Sequence, residues 1–395
     1  MRAFLVGGAV RDKLLDLTVS ERDWLVLNAT AEDLVARGYQ PVGKDFRVFL
    51  HPRTHEEWAL PRGETSSNDE EAVVSDDLRR RDLTINALAL SPEGQLIDPL
   101  GGKRDLKQRW LRHTPAFTDD PIRILRLARF QARFAPLGFR IATETKELAR
   151  GQIDAGVLSK ATMERIWGEW SKALAEERPW IFIRTLRDLH ALAEITPELD
   201  HLFGVPQPRR HHPEVDTGLH NLLVLEQACR LSREPRVRFA ALLHDLGKGA
   251  TPPAEWPRHI GHEARGARLV DRLCNRLQSP RKWRQLAHLS ARLHGKAHRA
   301  LELRPRTLLK LLEELDAFRR PDRLREFLQV CEADARGRLG FENAPYPQTN
   351  HILAAWEAAR KVTLNDIVPR PETGPEIKKA IARARQSTIA TLISR

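Results

Sequence analysis

The apolar pattern of the chain changes period once, near residue 117, and that change limits the fold more than any single motif. From residue 3 to about 100, short β-rich runs ("RAFLVGG", "RDWLVLN", "FRVFLHP", "EEWALP", "GQLIDPL") alternate with one or two helices. Beyond it, Leu, Ala, Arg and Glu recur at helical spacing, broken by "FAPLGF", "FGVPQP", "ATPPAEWP" and "LRPR". An α+β head followed by a long all-α body is therefore expected. At 395 residues the chain exceeds one ordinary core, so two to four domains are expected.

The formal net charge of +12 favours a polyanionic partner. Cys229, Cys274 and Cys331 are widely spaced with no C-x-x-C pair, which fits a reducing compartment and no zinc knuckle. The first apolar run, "AFLVGGAV", is broken by Arg11 and Asp12, too early for a signal peptide or a membrane span. A cytoplasmic protein is expected.

The head carries chemistry-bearing residues in a fixed order. "FLVGGAVRD" sets two glycines between a strand and a helix beginning near Ala9, where backbone N–H groups can approach an anion and Arg11 can reach a phosphate. "VSERDWLVL" reads as a strand, with Glu21 and Asp23 on one face and Arg22 on the other. Two carboxylates in one small volume repel each other unless a hard cation such as Mg2+ sits between them. A third acid stands in "THEEWAL", where the residues alone leave Glu56 and Glu57 open. "RRRDLTINALAL" (79–90) is expected on a helix, and "GETSSNDEE" (63–71) as a mobile loop. "TDDPIRILRLARFQARF" opens a helix at Pro121, and Arg123, Arg126 and Arg129 follow at every third residue.

In the body, His244 and Asp245 stand side by side on an apolar helix. His220, His262, His294, His298 and Asp334 are further imidazole and carboxylate candidates, a donor mixture that suits Mg2+ or a transition metal. His211, His212 and His259 read as surface histidines, and the nine tryptophans as packing residues. Arginines at 133, 140, 150, 165, 184 and 187 are candidates for a phosphate-binding face.

These blocks together ("LVGGAVRD", "RDW", "HPRTHEEWAL", "RRDLTINALA", "DPIRILRLARF", "HPEVDTGLH", "HDLGKG", "EADARGR") resemble the class II tRNA nucleotidyltransferase and poly(A) polymerase family, most closely its bacterial CCA-adding members with an HD domain. The resemblance implies a polymerase-β-like head with a mixed sheet at 1–115. It implies a nucleotide-selecting and tRNA-binding helical region at 116–205, an HD domain at 206–345 and a helical tail at 346–395. It implies that Glu21, Asp23 and Glu57 hold Mg2+ and that Gly8, Arg11, Arg81, Arg126 and Arg129 bind CTP or ATP. Asp120 and Arg123 then pair with the edges of the incoming base. By resemblance to HD phosphohydrolases, His220, His244, Asp245 and Asp334 ligate a divalent metal, Mg2+ or a transition metal such as Ni2+. His262 and His294 are the helpers, and the activity is that of a phosphatase and 2',3'-cyclic phosphodiesterase.

The expected partners are the tRNA acceptor end, CTP and ATP, with no membrane and a monomer or weak homodimer. Two departures from the family pattern stand out. Glu21 replaces the family's usual Asp, and the 61–77 segment is short, so CC-only addition stands as the alternative to complete CCA synthesis. A poly(A) polymerase, a non-catalytic RNA-binding protein and a protein active only through its HD domain are the remaining readings.

Overall fold

A computed structural model of the chain describes residues 1–42, 47–62, 69–367 and 373–393. Two compact units emerge: residues 1–162 with 188–190, and residues 163–187 with 191–395.

The first unit is built on a seven-stranded sheet: β1 (Arg2–Val6), β2 (Asp23–Leu27), β3 (Gln40–Val42), β4 (Val48–Leu50), β5 (Glu57–Ala59), β6 (Ala89–Leu90) and β7 (Leu96–Ile97), in the order β3-β4-β5-β2-β1-β6-β7. The β2–β5 pair is parallel and the others are antiparallel, so the sheet is mixed. Alternation along β2 splits the packing. Leu25 and Leu27 join Phe4, Val6, Val74 and Leu78 on one face, while Val26 packs with Leu34, Tyr39 and Phe49 on the other.

All five runs read as strands contain one. β3 was not foreseen, because its three residues are exposed and show no alternation. Three expectations are corrected. The 79–90 segment is not a helix. The helix Glu70–Arg79 stops there, a 3-10 turn spans Thr84–Asn86, and Ala89–Leu90 forms β6 because its apolar side chains fill the sheet core. Of the expected loop at 63–71, residues 63–68 lie outside the described residues. Asp69 instead caps the following helix by accepting from the Glu71 and Ala72 N–H groups. The body is also not purely helical from 116, since Arg140–Ile141 pairs in parallel with Trp110–Leu111.

The second unit is helical. Helices Thr217–Leu231, Pro235–Leu243, His262–Arg276, Arg281–His298 and Pro321–Arg336 supply its central packing. The turn Leu246–Lys248 runs beneath the start of the helix His262–Arg276, and Gly247 permits this. A Cβ there would lie 1.9 Å from the His262 carbonyl oxygen and 2.6 Å from the Gly266 nitrogen, both backbone atoms. Gly247→Ala is expected to cost this unit about 3 kcal/mol, the upper end for overpacking, as read from its denaturant midpoint. No described helix is long and apolar enough to cross a membrane.

Candidate functional site

In the head, strand register gathers the acids. β2 begins at Asp23, so Glu21 lies just before the strand rather than within it as expected. Asp23 is the direct partner of Glu57 on parallel β5, and Trp24 is the partner of Trp58. Glu56 goes the other way: it accepts from Trp24 Nε1 at 3.0 Å and from Arg22 at 3.3 Å. Period-two geometry therefore sets Glu57 on the Asp23 face and Glu56 on the Arg22 face, the choice the residues alone left open. Burial, reinforced by the charge of Glu21, raises the Asp23 carboxyl above its usual range against the opposing charges of Arg81, Arg11 and Arg126. A carboxylate that is costly to ionise alone, beside two more acids, suits a cation with oxygen preference.

The glycine turn lies next to these acids along β1. Gly7 has a φ of 70°, and a Cβ on it would lie 2.5 Å from an Arg81 Nη. One on Gly8 would lie 3.3 Å from an Arg11 Nη. Arg81 Nε is buried without a hydrogen-bond acceptor, while its Nη2 stands 3.4 Å from Asp77. Arg11 is 3% exposed; it donates to Asp12 (2.8 Å) and to Asn86 (2.6 Å), and its plane lies 4.9 Å from the Phe134 ring. Burial lowers its pKa.

The expected arginine stripe is a set of tethers rather than a solvated row. Arg126 bonds buried Asp82 at 2.7 Å, and Asn86 donates to the same carboxylate. Burial pushes Asp82 up, but Arg126, Asn86 and the Leu83 N–H together hold it below the usual range. Arg129 is buried with its guanidinium 4.6 Å from the Phe130 ring centre. Arg123 donates to the carbonyls of Arg80 (2.7 Å), Arg81 (3.3 Å) and Ala116, while Asp120 accepts from the Ile122 N–H at the helix start. Among the phosphate-face candidates, Arg133 bonds Asp12, Arg140 covers Trp110, and Arg187 lies against Asp200 and Phe203.

In the second unit all six expected metal-site residues converge. His220 Nε2 lies 3.2 Å from Asp334, His244 Nε2 lies 3.3 Å from Asp245 and 3.5 Å from Asp334, and His262 and His294 Nε2 lie 3.4 and 3.6 Å from Asp245. The Nδ1 atoms of His244, His262 and His294 face the carbonyls of Ala241, His259 and Ser290. Each ring is thereby fixed with Nε2 toward the centre.

Sequence reasoning missed three neighbours and named a fourth, His298, only as a further imidazole candidate. Lys248 Nζ donates to Asp245 at 2.5 Å, Glu214 lies 3.0 Å from His220 Nδ1, His298 Nε2 lies 2.7 Å from Asp334, and Tyr346 Oη lies 3.0 Å from His298 Nδ1. Of the three missed, one had a signal: Lys248 stands one helical turn after Asp245. Two histidines read as surface groups are not. His259 is 2% exposed, held by Thr251 and the Pro206 carbonyl, and His212 packs edge-on against His220 beside Glu214. Polar flanks made them look solvated, whereas tertiary packing covers them. His211 is exposed as expected.

Among the described residues, the groups of three donors within 4.8 Å of one another are His212, Glu214 and His220; His220, His244 and Asp245; and Asp245, His262 and His294. His244 Nε2 and Asp245 Oδ1 are buried without hydrogen-bond partners, as expected of ligand atoms, so the donor set fits a divalent cation. The head acids are not among these groups. Without metal, burial would lower the His244 pKa, but Asp245 and Asp334 override it and push it to about 10. Metal binding must then displace a proton. Near pH 7, uptake is expected to release about one proton per His244 and to weaken about tenfold per pH unit lost, measured by calorimetry in buffers of different ionisation enthalpy.

Comparison with known proteins agrees with this reading of the two units. Residues 3–112 match the poly A polymerase head domain, 138–203 the probable RNA and SrmB-binding site of polymerase A, and 217–335 the HD domain. Fold and site define a nucleotidyltransferase joined to a metal-dependent HD hydrolase domain. The multifunctional CCA protein of Alkalilimnicola ehrlichii is 54% identical over 99% of this chain and 98% of its own, and that of Pseudomonas aeruginosa is 51% identical over 98% of each. The chain belongs to the multifunctional CCA protein family. Its fold is shared with a CCA-adding enzyme in complex with CTP (TM-score 0.66, 22% identity, 98% of this chain and 87% of that one). It is shared also with the Thermotoga maritima CCA-adding enzyme complexed with tRNA (TM-score 0.64, 20% identity, 98% and 87%).

Proposed function

We propose that the head adds CCA to the 3' end of tRNA from CTP and ATP without a template, and that the HD domain hydrolyses phosphate esters, including 2',3'-cyclic ones. The observation that carries the first part is the Asp23–Glu57 register beside a glycine turn overlooked by Arg81, whose buried Nε lacks an acceptor. Asp23 and Glu57, with Glu21 at the strand entry, would hold Mg2+. The cation, when bound, supplies acidity to the attacking 3'-hydroxyl and charge neutralisation to the departing pyrophosphate.

The chain's own part is position and charge. The backbone at Gly8, with Arg11 and Arg81, orients the triphosphate, and Arg126 and Arg129 brace the wall behind it. Arg123 and Asp120 read the base edge, for which Arg123 exchanges its present carbonyl partners for the nucleotide. As the RNA oxygen bonds to the α-phosphorus, the bond to pyrophosphate breaks. Glu21 adds one methylene to the usual aspartate, and its place before the regular strand leaves backbone freedom to absorb that length.

In the HD domain, His220, His244, Asp245 and Asp334 would hold a divalent metal, with His262 and His294 assisting. Imidazole favours a transition metal such as Ni2+, and the two carboxylates also accept Mg2+. The functional regions are 1–115, 116–205, 206–345 and 346–395, in a monomeric or weakly dimeric cytoplasmic protein. The relatives' name favours complete CCA synthesis over CC-only addition, an alternative that rested on the 61–77 segment, of which residues 63–68 lie outside the described residues. Incubation of tRNA ending in CC with labelled ATP tests this directly: incorporation of one A is expected, and none would return the CC-only reading.

A further inference from the structure

A cavity of about 320 Å3 in the second unit is walled by Gln207, Lys248, Arg258 and Arg338 and reaches His262 and His298. The two histidines open it to the metal centre, since their Nε2 atoms lie 3.4 Å from Asp245 and 2.7 Å from Asp334. None of the described residues lining it is an acid. Two of its side chains carry buried nitrogens with no acceptor: Gln207 Nε2 and Arg338 Nε. Gln207 is 2% exposed, and its Oε1 accepts from Lys248 Nζ at 2.5 Å, which fixes the amide with Nε2 as the open end. Both orphans are donors. A buried donor without a partner is left desolvated and uncompensated, so two of them in one cavity call for an acceptor-rich ligand. The surrounding cations make that ligand an anion.

We propose that this cavity is the substrate-phosphate pocket of the HD domain, in which Gln207 and Arg338 grip the oxygens of a phosphoryl group on the ribose of a terminal nucleotide. This rests on the phosphohydrolase reading of the domain. The volume is at the small end of ligand pockets and admits one nucleotide rather than a paired end. Exposed Arg258 stands where the phosphodiester of the preceding nucleotide would pass. Lys248 ties the wall to the centre, because it bonds both Gln207 and Asp245.

The test uses the full chain freed of metal, titrated calorimetrically with adenosine 2'-monophosphate, adenosine and inorganic phosphate. Gln207→Glu keeps an acceptor for Lys248 but replaces the donor, and Arg338→Met keeps the stem but removes the guanidinium. Nucleotide bound at the head is common to all proteins and cancels. The wild type is expected to bind the monophosphate at least about tenfold more tightly than either adenosine or phosphate, and each variant to lose about tenfold of that affinity with an unchanged melting temperature. Arg338→Lys should recover part of it. Equal binding by wild type and both variants, or phosphate binding as tightly as the nucleotide, would overturn the assignment. Phosphate release by the wild type loaded with Ni2+, Mn2+ or Mg2+ is measured separately: its absence sinks the hydrolase reading, whereas the pocket stands or falls on the metal-free titration.

Discussion

Replacement of Asp23 by Ala is expected to reduce nucleotide addition by about 10^3-fold or more while tRNA affinity stays within about twofold. Asp23 heads β2 in direct register with Glu57, with Arg81 as the largest opposing charge on its partly buried carboxyl. Loss of this carboxylate removes an anchor for the cation that offsets charge at the reacting phosphate, a contribution of several kcal/mol, and each 1.4 kcal/mol is a tenfold change in rate. Asp23→Asn keeps the shape without the charge and should fail nearly as badly. Steady-state incorporation of labelled CTP, beside a filter-binding isotherm for tRNA, separates the two effects. Retention of activity in Asp23→Ala would remove the basis for the head as an enzyme. A parallel loss of tRNA binding would make Asp23 a folding residue instead.

His244→Ala should abolish metal-dependent phosphate-ester hydrolysis and spare CCA addition, because its partners all lie in the helical unit. The same substitution has a stability signature. In the metal-free protein, buried Asp245 and Asp334 are balanced by Lys248 and by protonated His244, and the charges of His244 and its neighbours hold both carboxyls well below their usual range against burial. Removal of one positive partner leaves a buried carboxylate uncompensated, at a cost of about 3 kcal/mol or more. The pH sign follows from the raised pKa of His244. Its contribution is complete below the unfolded value of 6.5 and disappears as pH rises toward about 10. Urea midpoints of the metal-free wild type should therefore fall across that window, and those of His244→Ala should lack this component. Equal pH dependence in the two proteins would place the proton elsewhere in the cluster.

Much of this architecture was legible in the chain because its signals are local. Strand alternation in "RDWLVLN", the Pro121 helix start and the apolar helix leading into His244 depend on residues within a few positions of one another. The 79–90 segment failed for the opposite reason. Its three arginines and apolar residues satisfy a helical pattern, yet Ala87 and Ala89 are buried in the sheet core beside Phe4 and Val6, a long-range contact that no local period reveals. His259 and Glu214 were hidden in the same way: each stands in a polar stretch whose covering residues come from elsewhere in the fold.

By itself, then, the sequence determined that an α+β head precedes a helical body, that acids and arginines recur in the head in a fixed order, and that histidines and aspartates recur in the body. Tertiary structure alone decided which of them meet. Strand register chose Glu57 over Glu56, because parallel pairing with Asp23 assigns each carboxylate to one face of the sheet. Packing of helices far apart in the chain brought His220, His244 and Asp334 within 3.5 Å contacts, and left Gln207 and Arg338 each with a buried donor still to be satisfied. The physical reason is the same in both cases: backbone periodicity sets the direction of a side chain, but only burial against a distant element sets what it faces.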